Sequence, residues 1–259
     1  MTILNDWLWK GCGLGLLVTA ACSAELSHPG QYASASAMRG AHLYDDWQTT
    51  TGTATTGNNP LYAQTTGQST GATTWRCKEC HGVDYRGKDG FYATGTHATG
   101  VKGLLGTAAN LDADEIYAAL SGPCLGPANT AAGGYLSDAD RWDLVKFIRE
   151  GIVDVTTFLD ATGAPVAPDL ANGQVLYEDQ CKRCHGADGA KVNIGTAASV
   201  SYVGTEVLKN GFNFQHRVRF GPVGVPGSLR EEMPGAVNFG WSLQDVRDVM
   251  GYSRTLPTK

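Results

Sequence analysis

The chain has 259 residues, 42% of them hydrophobic, and a formal net charge of −5 at neutral pH, which is enough for two small domains, each with a core. Twenty basic residues against 25 acidic ones, with no Lys/Arg run, exclude a nucleic-acid partner, because phosphate binding needs a concentrated basic surface. A charged partner would have to offer a basic or neutral face.

The chain opens with MTILNDWLWKGCGLGLLVTAACSAE: a short polar start containing Lys10, an apolar run from Gly11 to Ala21, then small residues. That run falls well short of the ~20 residues that span a bilayer, so 1–24 reads as a signal peptide or lipoprotein leader. The mature protein is then expected in the periplasm or on the outer face of a membrane. VTAAC, 18–22, is similar to the lipobox of bacterial lipoproteins, in which Cys22 would carry the lipid, although Thr19 stands where that motif has leucine. A lipid there would hold the protein beside membrane complexes, with a second contact needed for stable anchoring. Ordinary cleavage after Ala21 or Ala24 is the alternative.

RGAHLYDDW, 39–47, has the pattern of a short amphipathic helix. It is followed by an insertion, 49–74, in which 11 of 26 residues are Thr and four are Gly; this predicts a solvated loop without a core of its own. CKECH, 77–81, comes next, and CKRCH occupies 181–185. C-x-x-C-H is the pattern of covalent haem c attachment: two thiols one helical turn apart reach the two vinyl groups of one porphyrin, and the histidine that follows turns to the iron. Zinc ribbons space their CxxC pairs about 15 to 20 residues apart, whereas Cys80 and Cys181 are 101 positions apart. A redox dithiol has no need of histidine at the next position, twice. The predicted cofactors are two covalently attached haem c groups, held by Cys77, Cys80 and His81 and by Cys181, Cys184 and His185.

The surroundings repeat. RGAHLYDDW aligns with NGQVLYEDQ, 172–180, matching Gly40 with Gly173, Leu43 with Leu176, Tyr44 with Tyr177 and Asp46 with Asp179. Downstream, Ser137 and Asp140 match Ser242 and Asp245, both in the S-x-x-D pattern that starts a helix, and Phe147 matches Tyr252. Each unit reads as helix, haem motif, loop, closing helix. The boundary falls in DATGAPVAPDLANG, 160–173, giving a first domain over 25–160 and a second over 161–259. This order resembles the class I cytochrome c fold, and the chain is similar to diheme c-type cytochromes of bacteria. The resemblance implies an all-α protein with two tandem domains whose first and last helices cross, and long irregular loops around haem-filled cores.

The sixth iron ligand separates electron transfer from haem chemistry. Met233, in EEMPG, is followed by Pro and precedes the closing helix, which resembles the distal ligand loop of class I cytochromes. His185 and Met233 are therefore expected on the second iron. Projected onto the first unit, Met233 falls on Ala128 or Asn129, which cannot ligate iron, and no Met lies between His81 and Met233. Cys124, in SGPCLG, is the nearest sulfur to that slot and has no evident disulfide partner; it is the candidate metal ligand beside His81. His97 is the competing ligand, with a surface or propionate contact as its other reading; the first iron could also stay open. His28 and His42 have weaker positional claims, and His216 with Arg217 are candidate propionate contacts.

These features favour an electron carrier between a redox protein donor and acceptor. The alternatives are a haem enzyme of sulfur-compound oxidation, since diheme thiosulfate dehydrogenases resemble this chain in haem number and downstream Cys, or a fixed subunit of a membrane redox complex.

Overall fold

A computed structural model describes residues 27–62, 65–106, 110–121, 134–196, 198–224 and 233–258. The first unit contains α1 (Pro29–Ser34), α2 (Ala37–Thr51), α3 (Cys77–His81), α4 (Ala113–Ser121) and α5 (Asp138–Lys146), the last extended by a π turn, Phe147–Gly151. The second contains α6 (Leu170–Leu176), which runs through a π turn, Tyr177–Cys181, into α7 (Lys182–His185), then α8 (Val203–Lys209), α9 (Gly211–Phe220) and α10 (Leu243–Ser253). Among the described residues there is no strand, only two isolated bridges. The chain is the expected all-α pair of tandem units.

The repeat read in sequence is a repeat of contacts. α2 crosses α5 at Gly40, where a Cβ would lie 2.0 Å from the Asp143 carbonyl oxygen; α6 crosses α10 at Gly173, where a Cβ would lie 2.1 Å from the Asp248 carbonyl oxygen. Only glycine permits that approach. The partner aspartates also anchor the chain just before each first helix: the Ser36 amide donates to Asp143 Oδ1 at 2.7 Å, and the Asp169 amide to Asp248 Oδ1 at 2.8 Å. Phe147 and Tyr252 pack over the two glycines. Both closing helices begin with full capping boxes, Ser137 with Asp140 and Ser242 with Asp245, which satisfy amides that a helix start leaves unpaired. Asp46 and Asp179 diverge: Asp46 holds Arg76 at 2.7 Å, whereas Asp179 accepts from its neighbour Gln180.

The 49–74 insertion differs from its expectation. Its first residues continue α2, and Asn59, Tyr62 and Thr74 are buried against the first unit. Polar bonds replace the missing hydrophobic pattern: Thr74 Oγ1 accepts from the Asn59 amide at 2.8 Å, and Tyr62 Oη accepts from the Ser69 amide at 3.0 Å. Thr and Gly composition marks it as irregular, but side-chain bonds pin it down.

The two units share one core. α9 presents Phe214 and Val218 to Tyr177, Val249 and Trp241 of its own unit, while Phe212 and Phe220 join the first unit's cluster of Tyr44, Tyr85 and Phe147. Polar bonds cross the same boundary: the Arg219 guanidinium donates to the Gly151 carbonyl at 2.6 Å, and His42 Nε2 donates to the Phe220 carbonyl at 2.7 Å. Tyr85, fully buried with φ +63°, is held in this uncommon backbone state by two amides, Leu104 and Leu105, donating to its carbonyl.

Candidate haem sites

Each C-x-x-C-H pentapeptide ends on a single helical turn closed by a glycine at positive φ, Gly82 at φ +85° and Gly186 at φ +81°. The turns are clamped alike. Tyr44 Oη donates to the Gly82 carbonyl at 2.6 Å and Tyr177 Oη to the Gly186 carbonyl at 2.9 Å. The His81 carbonyl accepts from the Gly87 amide, and the His185 carbonyl from the Lys191 amide, both at 2.9 Å. The matched tyrosines, 38 positions before the glycine in the first unit and 9 in the second, thus tie each opening helix to its motif turn.

The imidazoles differ. His81 Nδ1 donates to the Lys102 carbonyl at 2.8 Å, which leaves Nε2 as the acceptor nitrogen. Lys102 is held by close backbone packing: a Cβ on Gly87 would lie 2.4 Å from the Val101 carbonyl oxygen, and one on Gly103 2.3 Å from that of Tyr85. His185 Nδ1 is buried without a hydrogen-bond partner. Burial pushes both imidazoles down from the usual histidine value, countered at His81 by the Lys102 bond, so each is favoured in its neutral, ligating form. Burial, reinforced by Cys184, pushes the Cys181 thiol up to about 12. Cys77, Cys80, Cys181 and Cys184 form no disulfide, and among the described residues no group of three or more His, Cys, Asp or Glu side chains is arranged to hold a metal ion. Paired thiols on a turn beside a neutral imidazole, oriented by a carbonyl in the first unit, fit haem c; among the described residues they do not assemble a zinc site.

Met233 is half-buried in a stretch laid against the end of α9, where its carbonyl approaches Gly221 and Gly235 backs onto Arg219 and Phe220. Cys124, Ala128 and Asn129 lie outside the described residues, as does the leader with Cys22. His97 is engaged elsewhere: its Nδ1 lies 2.9 Å from Glu79 Oε1 and its ring stacks on Tyr92 at 4.7 Å. His28 binds Asp114, and Arg217 faces Glu206 at 3.7 Å. His216 points into the unit boundary, with Nδ1 2.8 Å from Tyr85 Oη and Nε2 buried and unpartnered. Two features escape sequence reading altogether: this His216–Tyr85 pair, and the burial of Glu79 within CKECH at 2% exposure.

A family model described as Cytochrome c matches residues 63–151 and again 170–257. Neither the curated proteins nor the solved structures compared gave a match. The first match begins inside the insertion and omits α2, although α2 meets α5 just as α6 meets α10.

Proposed function

Because the chain belongs to the cytochrome c family, with one such domain in each half, we propose that it is an exported diheme c-type cytochrome relaying single electrons between a periplasmic or membrane redox enzyme and an acceptor. The observation that carries this reading is the twofold occurrence of one clamp: crossing glycine, tyrosine on the post-histidine carbonyl, and capped closing helix. Haem c, when bound, supplies a one-electron iron couple; the chain's part is to hold the group, exclude water and set its potential.

In this reading Cys77 and Cys80 attach the first haem and His81 ligates it, while Cys181, Cys184 and His185 do the same for the second. Met233 completes the second iron, favouring electron transfer over substrate binding, and Cys124 completes the first. The domains are 25–160 and 161–259, after a leader of 1–24 that directs export and, if Cys22 is lipidated, membrane attachment. No helix among the described residues is long and apolar enough to cross a membrane.

The test is haem stoichiometry with low-temperature EPR of the ferric protein. Two haems per chain that resist acid–acetone extraction are expected, with a thiolate-type low-spin signal that disappears in Cys124→Ala and a second signal that changes in Met233→Ala. One haem, or none retained covalently, overturns the relay. Thiosulfate turnover with an artificial acceptor would move the protein to the enzymes; a carrier shows none.

A further inference from the structure

The two attachment turns carry opposite charges at the same place. The third residue of the pentapeptide is Glu79 in the first unit and Arg183 in the second. Arg183 is exposed, so water and salt screen it. Glu79 is 2% exposed, and a carboxylate in so low a dielectric acts strongly on charge nearby.

The insertion peculiar to the first unit builds this burial. Ser69 Oγ donates to Glu79 Oε1 at 2.5 Å and Tyr62 Oη at 3.4 Å; His97 Nδ1 lies 2.9 Å from the same oxygen. Tyr62 is 3% exposed, and a Cβ on Gly67 would fall 2.2 Å from its hydroxyl, so the loop is folded tightly over the carboxylate's partners. These residues converge on one side chain from 10 and 17 positions upstream and 18 downstream. The imidazoles add a second difference with the same sign. The bond from His81 Nδ1 to the Lys102 carbonyl makes its other nitrogen a stronger donor to a metal, and His185 has no such bond.

We infer that Glu79, enclosed by Tyr62, Ser69 and His97, lowers the first haem's potential beyond what its iron ligands set, so that electrons enter at the first unit and leave by the second. The inference rests on the two-haem relay proposed above. Negative charge beside an iron centre and a more basic imidazole both favour the ferric over the ferrous state. One electron then passes from the first centre to the second without any bond made or broken, its source and sink being the relay's redox partners. Glu79, itself buried, acts through the potential, with Tyr62 and Ser69 of the insertion as its cover.

The experiment is a redox titration of the full-length holoprotein, each ferric haem followed by its own EPR signal. Glu79→Gln keeps the acceptor oxygen for Ser69 and removes the charge. It is expected to shift the first haem's ferric/ferrous equilibrium about tenfold towards ferrous, a rise of about 59 mV for a one-electron couple, with the second haem unmoved. Glu79→Asp keeps the charge and should retain the wild-type order of midpoints. Should Glu79→Gln fail to load haem, Arg183→Glu provides the second arm: it is on an exposed turn, and at low ionic strength it should lower the second midpoint by about twofold in equilibrium, about 18 mV. Haem content of the wild type is measured first, so that fewer than two haems there overturns the relay itself. Two haems with an unmoved first midpoint in Glu79→Gln, or a first midpoint above the second in the wild type, overturns the inference alone.

Discussion

The two units share a skeleton and differ in what surrounds it. Both cross their end helices at a glycine, cap the closing helix with Ser and Asp, and clamp the motif turn through tyrosine. Only the first wraps an insertion around its attachment helix, buries a carboxylate there and fixes its histidine on a carbonyl. Where α2 meets α5, Arg39 holds Asp140 at 2.6 Å and Asp143 at 2.7 Å, while the corresponding place in the second unit is filled by neutral Asn172, donating to Asp248 at 2.9 Å. The shared contacts close the same helix crossing and motif turn in both units. The unshared ones act on charge, the difference on which the inferred order of the two centres rests.

The largest test of the comparison falls on the boundary. Burial holds His216 neutral, down to about 3; Lys78 and Arg219 push the same way, and Asp45 partly opposes them. In the unfolded chain it takes up a proton below about 6.5, so the unfolded state binds more protons and stability drops as the pH falls from there towards 3. Chemical denaturation across this range should show a slope approaching ~1.4 kcal/mol per pH unit from this group. His216→Phe should flatten it; an unchanged slope would mean that α9 does not seal the two cores together.

Next come the crossings. Gly40→Ala and Gly173→Ala each push a methyl into a backbone carbonyl and should cost about 3 kcal/mol, at the upper end of overpacking. Urea midpoints should move by similar amounts in the two variants. A tolerated substitution in one unit would show that its helices cross elsewhere.

The smallest effect is expected at the clamps. Tyr44→Phe and Tyr177→Phe each leave the carbonyl after a motif histidine without its hydroxyl, at about 1 kcal/mol. Both are buried, but Tyr44 should cost more because it lies in the core shared by both units, whereas Tyr177 belongs to the smaller cluster. Equal losses would argue against that shared core.

Much of this was legible along the chain. The pentapeptides, the Gly–Tyr register of the first helices, the Ser–Asp caps and the Phe147–Tyr252 match are local spacings, and local spacings survive without a structure. The equivalence of α2 with α6 was legible too, even though the insertion displaces α2 from its motif and the family match starts after it. Less legible was the fate of polar residues. Thr and Gly composition predicted a solvated insertion, yet Tyr62 and Ser69 fold onto Glu79. His97, which reads as a possible ligand or a surface or propionate contact, has its Nδ1 on Glu79, a neighbour that sequence did not point to.

By itself, then, the sequence determined the repeat, the C-x-x-C-H motifs and the helices that frame them, because helix starts and C-x-x-C-H turns depend on residues a few positions apart. Tertiary structure alone decided which polar groups are buried. Glu79 becomes a buried charge only when residues 62, 69 and 97 close over it, and His216 a neutral one only when α9 of one unit enters the core of the other. Burial is set by what arrives from elsewhere in the chain, and it is burial that gives a charge its reach.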